Sequence, residues 1–217
     1  MKVKVYTMNS KKRFFFYAVL SFFCTLMVDA RSITIQQKID WPQFMSNQDM
    51  IWEVLPEYWH ESAYLGNGRL GLMIYKEPEK NYIRLETSNC DVHDHREKRD
   101  VFGIPRLLTG HFALHPKGKI ISGKMRLDLW NAEATTDIIT TKGSIHLKAF
   151  VHANDMIIVV KATTEGEEKD FQLEWIAAEG NSPRYLFFKN QGKMDKIPQD
   201  YPLNPVAEIS QKNNIHL

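Results

Sequence analysis

Residues 144–152 read SIHLKAFVH, and this stretch decides the fold class because apolar and polar side chains alternate along it. On one side of an extended chain lie four apolar side chains, those of Ile145, Leu147, Ala149 and Val151. The other side carries His146, Lys148 and His152. A period of two predicts a β-strand with one face in a core and the other in solvent.

The same period dominates the chain from Ile51 to Ala177, where no 3.6-residue period lasts for three turns. Turn residues such as Lys142-Gly143 separate the strands at hairpin spacing. The further predicted strands are residues 69–76, 81–86, 125–129, 133–140, 156–163 and 171–175. Many short strands with turns between them predict an all-β fold, an antiparallel β-sandwich over residues 51–180.

The segments on either side of the sandwich have a different character. Residues 31–50 are predicted to be a short irregular segment with at most one short helix. Beyond Asn181 the strand pattern ends, and residues 191–205 contain three prolines among scattered charges. Residues 181–217 therefore read as a linker toward a domain that this sequence does not contain, with a disordered tail as the alternative.

The first thirty residues have the pattern of a secretory signal peptide. Five basic residues precede the apolar run 14–28. This run is short for a membrane span, which needs roughly 20 residues. Small residues at Val28 and Ala30 fit cleavage after Ala30. We expect an exported protein that has no contact with the membrane once the signal is removed; an uncleaved anchor is the alternative.

Cleavage would also change the charge and the cysteine content. It removes five of 28 basic residues and one of 26 acidic residues, which leaves a net charge of about −2. A slightly negative net charge does not favour a nucleic-acid partner. Cys24 leaves with the signal, so Cys90 alone remains and no intramolecular disulfide can form.

Residues 65–71, LGNGRLG, are the most distinctive motif of the chain. Three structural glycines, Gly66, Gly68 and Gly71, suggest positive backbone φ or a close approach of another group. The spacing is not that of a phosphate-binding loop, and a strand follows in place of a helix. A tight turn at the start of a strand is the simpler interpretation.

Together with Trp52 and Pro56, this motif resembles the opening of the N-terminal domain of glycoside hydrolase family 95, which includes α-L-fucosidases. The resemblance covers roughly residues 50–180, and the stretch after the loop differs from the family's usual Asn-Glu-containing one, which indicates a divergent branch. It implies a supersandwich-like β-sandwich followed by a linker and an (α/α)6 barrel that hydrolyses glycosides with inversion. The carbohydrate substrate would be bound through that barrel. No catalytic residue can be carried over to this chain, and neither a metal nor a cofactor is implied.

Several residues are candidates for the rim of a substrate site in such an enzyme. They are Trp59, Asn67, Arg69, His93, Asp94, His95 and Arg96. For residues 91–96 three interpretations stay open: a His-x-His metal pair, a loop that hydrogen-bonds a sugar, and an exposed cluster of paired charges. Trp59 is the tryptophan most suited to stack on a sugar, since it precedes the glycine motif between Tyr58 and His60.

The resemblance also predicts an apolar patch on the sandwich surface. A sandwich that rests against a second domain would expose apolar side chains when alone, and such patches favour association. We expect Phe150, opposite Ile145 and Leu147, to belong to that patch.

Overall fold

A computed structural model describes residues 39–94, 106–201 and 203–205. The account below concerns the compact unit that begins at Asp40. The predicted signal peptide and residues 31–38 lie outside the described residues. The described part contains ten strands, two α-helices and three single 3₁₀ turns (Trp59–Glu61, Glu167–Asp170 and Met194–Lys196). The predicted all-β antiparallel sandwich is confirmed.

Sheet A has five strands, and every neighbouring pair is antiparallel. In spatial order they are β1 (Met50–Trp52), β6 (Ile120–Asp128), β7 (Glu133–Thr140), β8 (Gly143–Val151) and β9 (Ile158–Gly166). Strands β6 to β9 form a meander of consecutive hairpins. The residues whose alternation predicted a strand, 144–152, lie mostly in β8, which is the third strand of this meander.

Sheet B also has five antiparallel strands, but its order includes a long crossover. In spatial order they are β10 (Gln172–Ala177), β5 (Gly110–His115), β4 (Ile83–Asn89), β3 (Leu70–Lys76) and β2 (Ala63–Gly66). Strands β2 to β5 form a second meander. The chain then makes sheet A and returns to place β10 beside β5.

The core lies between the facing sides of the two sheets. Apolar side chains at alternate positions fill it, and the following are at most 3% exposed: Leu72, Ile74, Ile83, Leu85 and Leu114 of sheet B, and Ile138, Ile145 and Leu147 of sheet A. Each buried side chain of this size contributes about 1.5–3 kcal/mol to folding. The period of two in the sequence therefore arises because every second side chain of a strand lies in the core.

One buried carboxylate joins two of the three connections in which the chain passes from one sheet to the other. Glu168, in the connection from β9 to β10, is fully buried. Its oxygens accept hydrogen bonds from the backbone N–H groups of Lys117 and Gly118, both at 2.8 Å, in the connection from β5 to β6. Thr140 at the end of β7 donates its hydroxyl to the same carboxylate. A side chain on Gly118 would collide with this carboxylate, since its Cβ would lie 2.9 Å from Oε1.

The linker predicted over residues 181–217 is corrected in its first part. The chain forms helix α1 at Trp41–Ser46, as the short helix expected in 31–50, but it also forms helix α2 at Pro183–Asn190. Tyr185 of α2 is buried and stacks on Tyr201, with 4.9 Å between ring centroids. A helix of two turns is too short to show a 3.6-residue period, although Ser182 and Pro183 carry the start signal of a helix. Residues 206–217 lie outside the described residues.

The outer side of sheet A is mixed in character, so the apolar patch expected around Phe150 stays a prediction. Phe150 is half-buried, and its cross-strand partner Val159 is an exposed apolar residue. Ion pairs lie on the same sheet, among them Lys124–Glu53 at 2.6 Å, Lys148–Glu133 at 2.6 Å and Arg126–Asp49. Further exposed apolar residues of sheet A are Ile51, Ile121, Ile139 and Val160, and Met156 and Ile157 lie just before β9.

No helix within the described ranges is long and apolar enough to cross a bilayer.

Candidate functional site

The glycine motif makes the hairpin turn between β2 and β3. Gly66 and Gly71 are the last cross-strand pair, and the Asn67 N–H donates to the Leu70 carbonyl at 3.1 Å. Gly68, inside the turn, has a φ of +89°, a conformation that side chains with a Cβ rarely adopt. The predicted turn at the start of a strand is confirmed at Gly68.

The other two glycines make room for an aromatic ring. A Cβ on Gly66 would lie 3.3 Å from the Tyr64 hydroxyl, and one on Gly71 would lie 3.1 Å from it and 2.5 Å from Ser88 Oγ. The Tyr64 ring therefore lies against the backbone of the paired glycines, on the outer side of sheet B, and remains 61% exposed. An aromatic ring over strand glycines is a known way to fix the register of a sheet.

The side-chain amide of Asn67 forms hydrogen bonds with two turns of the chain. Its Oδ1 accepts from the N–H groups of Arg69 at 3.0 Å and Leu70 at 2.8 Å. Its Nδ2 donates to the carbonyls of His152 at 2.8 Å and Asp155 at 3.2 Å, in the turn between β8 and β9. An amide has two donor hydrogens and two acceptor lone pairs, so none is left for a ligand. Asn67, predicted as a rim residue, acts here as a clasp between sheet B and sheet A.

Arg69 is joined to the segment that follows β4. Its guanidinium donates to the Asp91 carboxylate, and the Cys90 N–H donates to the Arg69 carbonyl at 2.8 Å. The contact raises the pKa of Arg69 and lowers the pKa of Asp91. Both side chains remain more than half exposed. The structure thus brings one rim candidate, Arg69, to the start of the 91–96 segment.

The remaining rim candidates are only partly described. His93 is half-buried and forms an isolated bridge with Arg106, and Asp94 is 4% exposed. His95 and Arg96 lie outside the described residues. A contact between this segment and a sugar stays a prediction.

Trp59 is exposed, as predicted, in a 3₁₀ turn before β2. It is 63% exposed, and its ring meets that of His60 edge-on at 5.5 Å, while Tyr58 stacks on His60 at 5.6 Å. The three rings form a small exposed aromatic group. Stacking of a sugar on Trp59 stays a prediction.

A polar cluster on the outer side of sheet B was not predicted from the sequence. It consists of Tyr75, Glu77, Arg84, Glu86 and His111, and we call it the sheet B cluster. Arg84 Nε donates to Glu86 Oε2 and Arg84 Nη1 to Glu77 Oε2, both at 3.1 Å, and the Tyr75 hydroxyl donates to Glu86 Oε2 at 2.5 Å. The Glu86 side chain is only 12% exposed. Burial, followed by the hydrogen bond to Glu86, raises the pKa of Tyr75 far above its usual range.

His111 is the unusual member of the sheet B cluster. It is the cross-strand partner of Glu86, its residue is 6% exposed, and its Nε2 has no hydrogen-bond partner among the described residues. The Tyr82 ring stacks beside it with 6.1 Å between centroids. Burial, with the positive charge of Arg84 as the next cause, lowers the pKa of His111 and so favours the neutral imidazole.

A cavity of about 230 Å³ lies between this cluster and helix α2. Six of the residues that line it are Arg84, Glu86, Leu108, His111, Leu186 and Asn190. The sequence shows Arg84 and Glu86 at alternate positions of a strand, which indicates a shared face. The opposite wall could not be anticipated, because it is made by a helix that lies about 100 residues further along the chain.

No group of three His, Cys, Asp or Glu side chains able to hold a metal ion exists in the described part of the chain.

Comparison of the chain with models of known protein families and with curated proteins gives no match.

Proposed function

We propose that residues 51–180 form the N-terminal sandwich domain of an exported glycoside hydrolase similar to family 95. In this proposal the sandwich supports a catalytic barrel encoded further along, and the present chain cleaves no bond by itself. The substrate is a carbohydrate, which the barrel binds.

The observation that carries the proposal is the glycine motif, residues 65–71. Gly66 and Gly71 accommodate Tyr64, Gly68 makes the turn, and Asn67 clasps the two sheets. The motif on which the resemblance rests thus helps to build the sandwich. This role is expected of a motif that is typical of one kind of domain. A sandwich is also the architecture that the resemblance implies.

The carboxylates of the sheet B cluster support a non-catalytic role. Hydrolysis of a glycoside normally uses two carboxyl groups, of which one gives a proton and the other acts on water or on the sugar. Glu86 is bound by both Arg84 and Tyr75, and Glu77 is bound by Arg84. Carboxylate oxygens that are already held by a guanidinium and a phenol hydroxyl are not free to bind a water molecule or a sugar.

A non-catalytic carbohydrate-binding module is the second candidate. It is favoured by the exposed ring group of Tyr58, Trp59 and His60, and by the open cavity that Arg84, Glu86 and His111 line. Both candidates share carbohydrate as the ligand and differ in whether a catalytic domain accompanies the sandwich.

The test is to read the coding DNA that follows the codon for Leu217 and to produce both the present chain and any longer product. Each is assayed with aryl α-L-fucosides, aryl β-galactosides and other aryl glycosides. We expect background rates from the chain alone and hydrolysis of at least one glycoside by the longer product. An inactive longer product, or no longer reading frame, would favour the binding module. Turnover by the chain alone, lost in Glu86→Gln, would place an active site on the sandwich.

Export is a separate part of the proposal. The basic start, the apolar run 14–28 and the small residues at Val28 and Ala30 support it. Amino-terminal sequencing of the secreted protein is expected to begin at Arg31. A protein that keeps residues 14–28 in the membrane would contradict cleavage.

A further inference from the structure

Strand β9 is the longest strand whose outer edge no other described strand covers. The strands at the ends of the two sheets are β1, β2, β9 and β10, and they contain three, four, nine and six residues. Natural proteins protect a sheet edge with a proline, a bulge or a charged side chain turned inward. Strand β9 has none of these, because it pairs with β8 in unbroken register and its core-facing residues are Ile158, Val160, Ala162 and Thr164. Such an edge is suited to pair with another chain.

The free backbone groups of β9 belong to its even-numbered residues. In an antiparallel pair, residues that bond to the neighbouring strand alternate with residues whose N–H and C=O point the other way. The Ile157 carbonyl accepts from the His152 N–H at 2.9 Å, and the Glu167 N–H donates to the Lys142 carbonyl at 3.0 Å. In the observed register, the odd-numbered residues of β9 therefore bond to β8. The residues whose groups point to the free edge include Val160, Ala162 and Thr164.

Two exposed charged side chains on the outer side of β9 have no oppositely charged partner. Lys161 and Glu165 form no ion pair within the described part of the chain. Lys161 lies opposite Lys148, which is itself paired with Glu133 at 2.6 Å, and Glu165 accepts a long bond of 3.4 Å from Ser144. Lys161 and Glu165 cannot reach each other, because four residues of a strand span about 13 Å.

A second copy of the chain supplies both missing partners in one register. When two β9 strands pair antiparallel about a two-fold axis at Thr163, Lys161 of each copy faces Glu165 of the other. The even-numbered residues also face one another, as Ala162 faces Thr164, so that their free groups form about eight backbone hydrogen bonds. An axis at Ala162 would place Lys161 opposite Thr163 and remove both ion pairs. An axis at Lys161 would place two lysines opposite each other.

We propose that the chain forms a homodimer in which two β9 strands pair antiparallel about Thr163 and join two copies of sheet A into one continuous sheet. The ion pairs of Lys161 with Glu165 fix the register, whereas the backbone bonds and the partly exposed Val160 supply the contact. Both copies use the same residues, as in other two-fold dimers. Because an edge contact is small, we expect a Kd of about 10–100 μM. The inference does not depend on the function proposed above.

The test measures the mass of the full chain by sedimentation equilibrium at concentrations from well below to well above that Kd. We expect a reversible equilibrium between monomer and dimer. Lys161→Glu brings two carboxylates together in each contact, and Glu165→Lys brings two ammonium groups together, so each variant should raise the Kd at least about tenfold. Lys193→Glu reverses an exposed charge after helix α2, and this matched control should leave the Kd unchanged.

Two recoveries make the test specific for this register. A chain that carries both Lys161→Glu and Glu165→Lys again brings opposite charges together, so its Kd should return close to that of the wild type. The two single variants should form a mixed dimer with each other, since each contact then contains one carboxylate and one ammonium group. Both positions are exposed, and circular dichroism checks that each variant is folded.

Amide hydrogen exchange followed by NMR tests the backbone contact independently of the charges. The amides of Val160, Ala162 and Thr164 should exchange fast in dilute protein and more slowly as the concentration rises. The amides of Lys161 and Thr163 bond to β8, so they should be protected at every concentration.

Four results would overturn the inference. They are a monomer at every concentration, a dimer that the single charge reversals leave unchanged, a double variant that does not recover, and even-numbered amides that stay fast in the dimer. Association through the apolar run 14–28 would give the second and fourth of these results, because neither the charges nor the amides of β9 take part in it.

Discussion

Asn67 and His111 are two polar residues of sheet B and its turns with opposite hydrogen-bond states. Asn67 has all four of its amide hydrogen bonds made by backbone groups, whereas Nε2 of His111 is buried and has no partner among the described residues. A buried polar atom without a partner costs about 1–3 kcal/mol. The first residue therefore stabilises the fold, and the second lowers its stability.

Asn67→Ala is expected to lower the free energy of unfolding by about 1–3 kcal/mol, because it leaves up to four backbone groups without their partner. In a chain of this size each kcal/mol corresponds to about 2–4 °C in Tm. Thermal unfolding followed by circular dichroism measures the change. Arg69→Ala, in the same turn, removes only an exposed ion pair and is the control with little expected change. An equal loss in both variants would contradict the clasp.

His111→Phe is expected to keep or raise Tm at pH 7, because it removes the unpaired nitrogen and retains the ring. It should also flatten the response to acid. The pKa of His111 is lowered in the folded state, so below about pH 6.5 the unfolded chain binds a proton that the folded chain does not. Wild-type stability therefore falls as the pH drops through this window. The groups that face His111 are Arg84, Glu86, Glu77, Lys80 and Tyr82.

Urea unfolding at several pH values between 5 and 8 measures this difference as a smaller loss of stability on acidification in His111→Phe. His146→Phe is the matched control, since His146 is exposed on sheet A and paired with Asp137. A pH slope identical to that of the wild type in His111→Phe would show that His111 titrates normally.

At the scale of single elements, the sequence predicted strands where apolar and polar side chains alternate over several residues. Strand β7 was predicted with its observed bounds, Glu133–Thr140, because apolar or β-branched residues mark its buried face and turns flank it. Strand β2 was hidden by the glycines of residues 65–71, and β5 by its sequence, GHFALH, in which apolar side chains follow one another without alternation. The period of two is a local signal, and it weakens where Gly replaces a side chain.

The candidate site was predictable only where it depended on local sequence. The turn at Gly68 follows from the glycine itself. The clasp of Asn67 with residues 152 and 155 and the pairing of Glu86 with His111 join positions far apart in the chain. No spacing in one sequence reveals such contacts, because the crossover from sheet A back to β10 and the helix α2 decide which residues meet.

The edge strand β9 is the element most exposed to association. No strand within the described ranges pairs with its outer edge, and the apolar run Met156–Val160, of which Val159 is 37% exposed, leads into it. Unpaired apolar edges favour pairing with another chain, and a charged side chain opposes it.

Val159→Lys is expected to delay aggregation on heating while changing the free energy of unfolding by no more than about 0.5 kcal/mol, since the side chain points outward. Light scattering during a temperature ramp measures the onset. Thr163→Lys adds the same charge on the same side of β9 but outside the apolar run, and should have the smaller effect. Equal effects would show that net charge, and not the edge, controls association.

For the sandwich as a whole, the decisive contact is the one that joins two of the three connections between the sheets. Glu168 binds the connection from β5 to β6 and also Thr140, while it lies in the connection from β9 to β10. Two backbone donors and one hydroxyl converge on its two oxygens. The carboxylate thereby couples sheet A and sheet B at one end of the sandwich.

Glu168→Gln is expected to destabilise the protein by at least about 1–3 kcal/mol, because an amide NH₂ would face a backbone N–H with no acceptor between them. Chemical unfolding measures the loss, with an unchanged m-value as the sign that both sheets still unfold together. Glu165→Gln, at an exposed position of β9, is the control that should change little. A neutral result at Glu168 would mean that the sheets hold together by apolar packing alone.

The pairing of β5 with β10 can form only late during synthesis of the chain. The last residue of β5 is His115 and the first of β10 is Gln172, so 57 residues separate them. At a synthesis rate of about 5–20 residues per second, β5 waits roughly 3–11 s on the ribosome for its second neighbour. During that time one backbone edge of β5 is open, and it lies beside apolar Phe112 and Leu114. Slow codons or a bound chaperone in the stretch between residues 115 and 172 would therefore affect the yield of folded protein without changing its final stability.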